Sequence, residues 1–267
     1  MSSIVTDQGI VHYEAYGRGQ PVILLHGWLG SWGYWLRTME VLRDQYRCYA
    51  LDFWGFGDSG KRRSSYQVDD FVGLVDQFMD RLGIQSAPIV GHSMGGTVAI
   101  SLALAKPERV RRVIVVGSPI DGDSLNLFLR LAGKPWIASI VWHMPVALQL
   151  GIKAFSPFVV KNWPEWYEMI TRDISRTTLE AFFTSIRSLH KTELSVQLPR
   201  VARPIMGIYG IGDNVVAPNQ AEVITQKAPQ SRIKMMAGSK HFPMLDEPQA
   251  FNENLVDFLS FEFAPLN

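Results

Sequence analysis

A serine in a glycine-rich turn is the residue of this chain best placed to act as a nucleophile. Ser93 is the central residue of Gly-His-Ser-Met-Gly at residues 91–95, which follows a short apolar run at residues 87–90 and precedes a run of small residues. The pattern predicts a strand, a sharp turn and a helix, with the serine strained at the apex. Gly91 and Gly95 leave room for such a turn. Because G-x-S-x-G occurs by chance in many chains, the rest of the site must support this interpretation.

Two further residues, His241 and Asp213, could activate this serine. A serine hydroxyl is a poor nucleophile at neutral pH and needs a base, which is itself oriented by a carboxylate. Asp213 follows an apolar strand predicted at residues 204–209, and His241 follows a further strand predicted at residues 232–236. Because the carboxyl ends of parallel strands share one edge of a sheet, we expect Ser93, Asp213 and His241 to meet there.

Other carboxylates compete with Asp213 for the role of the acid. Asp121 comes just after the strand that precedes Asp213 in the predicted sheet and is the main rival. Asp246 and Glu247 follow His241 so closely that we expect them to start the last helix rather than to orient the imidazole. We predict that Asp213 is the acid.

A third feature is the apolar run at residues 22–28, which is predicted to be a buried strand ending in His-Gly. In a fold with a serine elbow, a backbone N–H after this strand and the N–H after the nucleophile bind the oxyanion. Here these donors are the amides of Trp28 and Met94. We assign His26 a structural role in holding the loop rather than a second catalytic role.

These motifs resemble those of the α/β-hydrolase superfamily, in its capped serine esterase and lipase-like branch. The resemblance spans nearly the whole chain and is carried by residues 25–28, 52–59, 91–96, 210–218 and 241–243. It implies a Ser-His-Asp triad, a mostly parallel eight-stranded sheet with helices on both faces, and no cofactor or metal. Trp54 stands where many relatives carry arginine, and Pro218 lies slightly further from Asp213 than is usual.

The order of predicted elements indicates an insertion. Strands and helices alternate up to a strand at residues 113–117, and no strand is evident again until about residue 204. We therefore predict an α/β core formed by residues 1–117 and 199–267, with a helical cap at residues 118–198. Helical stretches within the cap are predicted at residues 125–131, 136–143, 146–155, 165–173 and 179–189.

The cap composition indicates the substrate class. Large apolar groups dominate the cap, and some of them must build its own core while the others line an acyl or alcohol pocket. The residues predicted to line this pocket are Trp32, Trp136, Trp142 and Phe242. Four cations in the first half of the cap are better explained by solvated helix faces than by anion recognition; they are Arg130, Lys134, Lys153 and Lys161.

Composition sets further limits on function. The chain has 267 residues, 47% of them apolar, and a net charge of +1, so there is no electrostatic argument for nucleic-acid binding. The single cysteine, Cys48, excludes an internal disulfide and is expected to be a buried, inert thiol. The N-terminus does not resemble a signal peptide, and the longest apolar stretch, residues 137–150, is too short to span a bilayer. We expect a cytoplasmic enzyme with no transmembrane segment, whose oligomeric state the sequence does not indicate.

The sequence thus predicts a serine hydrolase acting on a hydrophobic small-molecule ester. Carbon–carbon bond hydrolysis, thioester hydrolysis and cofactor-free perhydrolysis use the same triad and stay open as alternatives, as does a ligand-binding module with slow turnover. Dehalogenases and epoxide hydrolases of this superfamily use an aspartate nucleophile, and Ser93 therefore argues against both.

Overall fold

The structure is a computed structural model that describes residues 2–7, 9–61, 65–132, 134, 136 and 143–263. These residues form an eight-stranded sheet in the order β1-β2-β4-β3-β5-β6-β7-β8. β1 and β2 pair antiparallel with their neighbours, and all other pairings are parallel, which confirms the predicted mostly parallel sheet. The strands are β1 (Ser2–Thr6), β2 (Gly9–Gly17), β3 (Gln20–Leu25), β4 (Tyr46–Leu51), β5 (Ala87–His92), β6 (Val110–Val116), β7 (Ile205–Gly210) and β8 (Ser231–Met236).

Helices connect the strands and cover the sheet. Those outside the predicted insertion are α1 (Leu36–Leu42), α2 (Val68–Arg81), α3 (Met94–Ala105), α8 (Gln220–Lys227), α9 (Pro243–Asp246) and α10 (Pro248–Ser260). Between β6 and β7 lie α4 (Leu127–Ala132), α5 (Pro145–Val159), α6 (Trp163–Ser175) and α7 (Leu179–His190), which we call the inserted helices. None of the helices in the described part of the chain is long and apolar enough to cross a membrane.

The core lies on both faces of the central strands. All six residues of β5 are buried, as is typical of a parallel strand covered by helices on both sides. α3 is apolar and buried over most of its length, whereas α2 buries one stripe that includes Phe71, Leu74 and Phe78. α3 therefore fixes the segment that follows Ser93 deep in the molecule.

The inserted helices follow the sequence expectation closely. α4 to α7 cover the predicted stretches to within a few residues, except that most of the stretch predicted at residues 136–143 lies outside the described residues. Cys48 lies on β4 and is buried, and burial raises the pKa of its thiol to about 12. An inert thiol is the expected consequence.

Candidate active site

The strand-turn-helix around Ser93 has the geometry of a nucleophile elbow. Ser93 joins β5 to α3 with φ of 50° and ψ of −119°, a strained conformation for a residue with a side chain. Its N–H donates to the carbonyl of Val116 at 2.8 Å. A Cβ on Gly91 would lie 2.2 Å from the backbone of Gly95, and one on Gly95 would lie 2.5 Å from the carbonyl oxygen of Leu25. The turn therefore requires glycine at both positions.

The structure brings His241 and Asp213 together. Nδ1 of His241 lies 2.8 Å from Oδ2 of Asp213, and both side chains are buried. The other carboxylate oxygen accepts from the amides of Val215 and Val216 at 2.8 and 3.0 Å, which fixes the rotation of the carboxyl group. Because a carboxylate can only accept, Nδ1 is the donor in this bond, and in the neutral imidazole the lone pair is on Nε2. Ser93 and His241 line the same cavity.

The competing carboxylates have other partners. Asp121 accepts from the amide of Ser195 at 3.0 Å and so joins the two ends of the insertion rather than facing His241. Asp246 ends α9 and accepts from the amides of Lys240 and Lys161, both at 2.7 Å. Asp246 thus holds the segment that carries the imidazole, a role that the sequence prediction of a helix start missed.

The segment after β3 passes directly over the serine. A Cβ on Gly27 would lie 3.0 Å from Cβ of Ser93 and 2.7 Å from Nδ1 of His92, so only glycine allows this approach. The next residue is Trp28. Met94 is the first residue of α3, where the N–H groups have no partner within the helix. Both amides thus belong to segments that adjoin the Ser93 side chain.

Two buried histidines support the site without being its base. Nδ1 of His26 donates to the carbonyl of Gly27 at 2.7 Å, while Nε2 accepts from the amide of Phe53 at 2.9 Å. Burial lowers the pKa of His26, which keeps this linking imidazole neutral. His92 donates from Nε2 to the carbonyl of His241 at 3.0 Å.

His92 was not singled out from the sequence. Burial is the main cause of its strongly lowered pKa, and the neighbouring His241 adds to it. Its ring centre lies 4.7 Å from that of His241 and 4.3 Å from that of Phe242. Its position in the sequence, one residue before the serine at the end of a strand, could have indicated a role at the site, because a side chain there can reach the loop that carries His241.

A cavity of about 550 Å³ opens over the serine. Its polar side chains are those of His92, Ser93 and His241, and no described residue that lines it carries a formal charge apart from any protonated imidazole. The apolar walls come mainly from the inserted helices. The lining residues from α5 to α7 are Ala147, Leu148, Gly151, Ile152, Ala154, Phe155, Val159, Trp166, Ile170, Ile174, Ile186 and Leu189.

The residues predicted to line a substrate pocket lie in different places relative to this cavity. Phe242 lines the cavity, as expected. Trp32 does not, because its amide is held by Oδ1 of Asp52 at 2.8 Å and its ring packs near His12 instead. Trp136 is 64% exposed and is not among the lining residues, and Trp142 lies outside the described residues.

An apolar stripe on α5 forms a wall of this cavity that the sequence did not single out. Leu148, Ile152, Phe155 and Val159 recur at helical spacing and face the cavity. The spacing was visible in the sequence. It did not reveal whether this stripe faced the cap's own core or an open cavity.

The elbow, the sheet order and the edge on which the site lies agree with one family. The chain belongs to the alpha/beta hydrolase fold family, whose model matches residues 20–199. It is thus an enzyme of the α/β-hydrolase fold.

Two relatives of this chain carry the names of hydrolases. It is 26% identical to pimeloyl-[acyl-carrier protein] methyl ester esterase of Photobacterium profundum, over 92% of this chain and 97% of the relative. It is 24% identical to 3-oxoadipate enol-lactonase 2 of Acinetobacter baylyi, over 91% and 90% of the two chains. Among solved structures, an enol-lactonase from Burkholderia xenovorans superposes with a TM-score of 0.84 at 20% identity, covering 97% of this chain and all of that one.

Proposed function

We propose that this protein is a serine hydrolase that cleaves carboxylic esters with a hydrophobic acyl or alcohol group. The observation that carries the proposal is the His241–Asp213 pair, whose imidazole lines an almost wholly apolar cavity together with Ser93 on its strained turn. Esterase and lactonase relatives support ester chemistry, since both names describe cleavage of the single bond between an acyl carbon and an ester oxygen.

In the proposed mechanism, the oxygen of Ser93 attacks the ester carbonyl while Nε2 of His241 takes its proton. Asp213 holds the proton on Nδ1 and stabilises the imidazolium that forms. His241 then protonates the leaving alcohol, which departs and leaves an acyl group on the serine. Water attacks this acyl-enzyme with His241 again acting as the base, and the carboxylic acid and free serine result.

The proposed oxyanion hole consists of the amides of Trp28 and Met94. The tetrahedral intermediate places a negative charge on the former carbonyl oxygen, and backbone donors in a dry site stabilise that charge strongly. The N-terminus of α3 adds a favourable dipole. Since Gly27 holds its segment against Ser93, the approach of the Trp28 amide depends on that glycine.

We treat residues 118–198 as a cap on a core made of the rest of the chain. In support, the inserted helices supply most of the cavity wall, while Ser93, Asp213 and His241 come from the sheet side. An apolar wall favours an uncharged chain, because burying an unpaired carboxylate is costly.

The proposal is tested by hydrolysis of p-nitrophenyl esters of increasing acyl length. We expect turnover by the native protein and a loss of at least about 10³-fold in Ser93→Ala, as for removal of a triad member. Ser185→Ala is the control, because this serine is equally buried but bonds only to backbone carbonyls within α7. If native protein and Ser93→Ala are equally inactive, the esterase proposal fails, and a carbon–carbon bond hydrolase or a binding role takes its place.

A further inference from the structure

Two side chains of the loop over the serine are bonded to the inserted helices. The indole Nε1 of Trp28 donates to the carbonyl of Phe182 on α7 at 2.9 Å, and the two rings lie 4.7 Å apart. Three residues later, Oγ of Ser31 donates to Oδ2 of Asp173 on α6 at 2.9 Å. The loop at residues 27–31 is therefore attached to the insertion at both ends of its turn.

This loop contains backbone strain that needs such support. Leu29 has φ of 60°, in the left-handed region that residues with side chains avoid. A conformation of this kind is strained and persists only where surrounding contacts hold it. From the core side, the carbonyl of Gly27 accepts from Nδ1 of His26 at 2.7 Å, and that of Leu29 accepts from the Tyr34 hydroxyl at 3.5 Å. Neither of these bonds involves Trp28 itself, whose indole is bonded to the insertion.

The Ser31–Asp173 bond is the more buried of these attachments. Both side chains are almost fully buried, and the second oxygen of Asp173 lies 3.5 Å from Nε of Arg172. A hydrogen bond to a charged group has a short donor–acceptor distance, and breaking it in a buried site leaves a charged group without a partner, which costs free energy. The ion pair of Arg176 with Asp58 also joins the insertion to the core, but it is partly exposed and does not touch the loop.

The segment that carries the base is attached to the insertion in the same way. The amide of His241 donates to the carbonyl of Val159 at the end of α5, at 3.0 Å. Asp246 bonds both the amide of Lys161, just beyond α5, and that of Lys240. Two separate parts of the site therefore take their position from the inserted helices.

We propose that Trp28, through its indole, together with Ser31 and Asp173, positions the oxyanion-hole amide only while α6 and α7 are seated on the core. This inference rests on the proposed function, in which the Trp28 amide binds the oxyanion. A displacement of these helices would break both hydrogen bonds and release the strained turn at Leu29. Closing of the cavity and assembly of the oxyanion hole are then a single event.

The test compares Trp28→Phe and Ser31→Ala with Asp58→Asn. Trp28→Phe keeps an aromatic ring but removes the N–H donor, and Ser31→Ala removes the hydroxyl. We expect kcat to fall by roughly 10- to 100-fold in both, as for a small misplacement of a catalytic group, with KM little changed. Asp58→Asn weakens an ion pair that joins the insertion to the core without touching the loop, and should keep the native kcat.

A transition-state analogue separates positioning from loss of stability. Affinity for an alkyl boronic acid, which forms a tetrahedral adduct with the serine, should fall by the same factor as kcat/KM. Affinity for the carboxylic acid product should not change. Native kcat and native boronate affinity in folded Trp28→Phe and Ser31→Ala would overturn the proposal, as would an equal loss in Asp58→Asn.

Hydrogen–deuterium exchange tests the same attachment without relying on turnover. We expect faster exchange of the amides at residues 27–31 in Asp173→Ala, and near-native exchange in Asp173→Asn, which keeps an acceptor for Ser31. Unchanged exchange in Asp173→Ala would contradict the attachment even if Ser93 proves to be the nucleophile. Conversely, if exchange is faster in Asp173→Ala but the native protein hydrolyses no ester, the attachment is supported and the esterase proposal is refuted.

Discussion

Single residues of the site depend on partners that their own identity does not reveal. His92 and His26 are both buried, and each ring donates to a backbone carbonyl of a loop beside Ser93. The His26 ring bonds the carbonyl of Gly27, and the His92 ring bonds that of His241. From the sequence, the types and order of Ser93, Asp213 and His241 were sufficient to predict a triad. The carboxylate that braces the histidine segment, Asp246, could not be recognised, because its two amide partners come from different parts of the chain.

Asp173 gives a residue-scale prediction about pH. Burial raises the pKa of this carboxyl to about 6 from 3.8, against the smaller effects of Ser31 and Arg172, while Asp52 raises it slightly. Since the pKa of Asp173 is higher in the folded state, the folded state binds the proton more tightly than the unfolded state. Protonation of Asp173 therefore stabilises the fold at low pH, and this stabilisation is lost as pH rises through about 6. Asp173→Asn removes the cost of burying the charge.

We therefore expect Asp173→Asn to gain stability relative to the native protein as pH rises from 4 to 8, by about 2–3 kcal/mol for a shift of this size. Denaturant unfolding at both pH values measures the difference. The matched control is Asp123→Asn, the same substitution at an exposed carboxyl at the start of the insertion, which should leave the free energy of unfolding near the native value. A constant difference for Asp173→Asn would show that the buried carboxyl does not titrate in this range.

At the scale of elements, the glycines around Ser93 explain why the elbow was predictable. A strand, a turn that excludes side chains at Gly91 and Gly95, and a buried helix are all dictated by local sterics. The pocket was less predictable, since Trp32 and Trp136 were assigned to it by residue type and α5 supplies its wall instead. Which face of an apolar helix lines a cavity depends on tertiary contacts that periodicity does not contain.

α5 provides an element-scale prediction about acyl length. Leu148 faces the cavity, whereas Leu150, two residues later, is 63% exposed on the opposite face of the same helix. Leu148→Trp should fill part of the cavity and shift the preferred p-nitrophenyl ester to shorter chains. Leu150→Trp adds the same ring to the outer face and should keep the native preference. An identical chain-length profile for all three proteins would show that the acyl group lies elsewhere.

At the scale of the whole molecule, the sheet and the insertion contribute different parts of the site. The predicted triad comes from loops at the carboxyl ends of β5, β7 and β8, and the cavity wall comes from α5 to α7. The mostly parallel eight-stranded sheet was predictable through the family resemblance. The contacts of the loops that carry Ser31 and His241 with the inserted helices were not, because they depend on tertiary packing, as in the bond of the His241 amide to the Val159 carbonyl. The cytoplasmic location stays a prediction from the sequence.

The central claim is that Ser93 carries the acyl group, and trapping the acyl-enzyme tests it most directly. Mixing the protein with a p-nitrophenyl ester on a millisecond timescale, followed by acid quench and peptide mass mapping, reports both product burst and acylated residue. We predict an adduct of the acyl group's mass on the peptide that contains Ser93, absent in Ser93→Ala and strongly reduced in His241→Ala. Turnover with no adduct, or an adduct on another residue, would contradict the account.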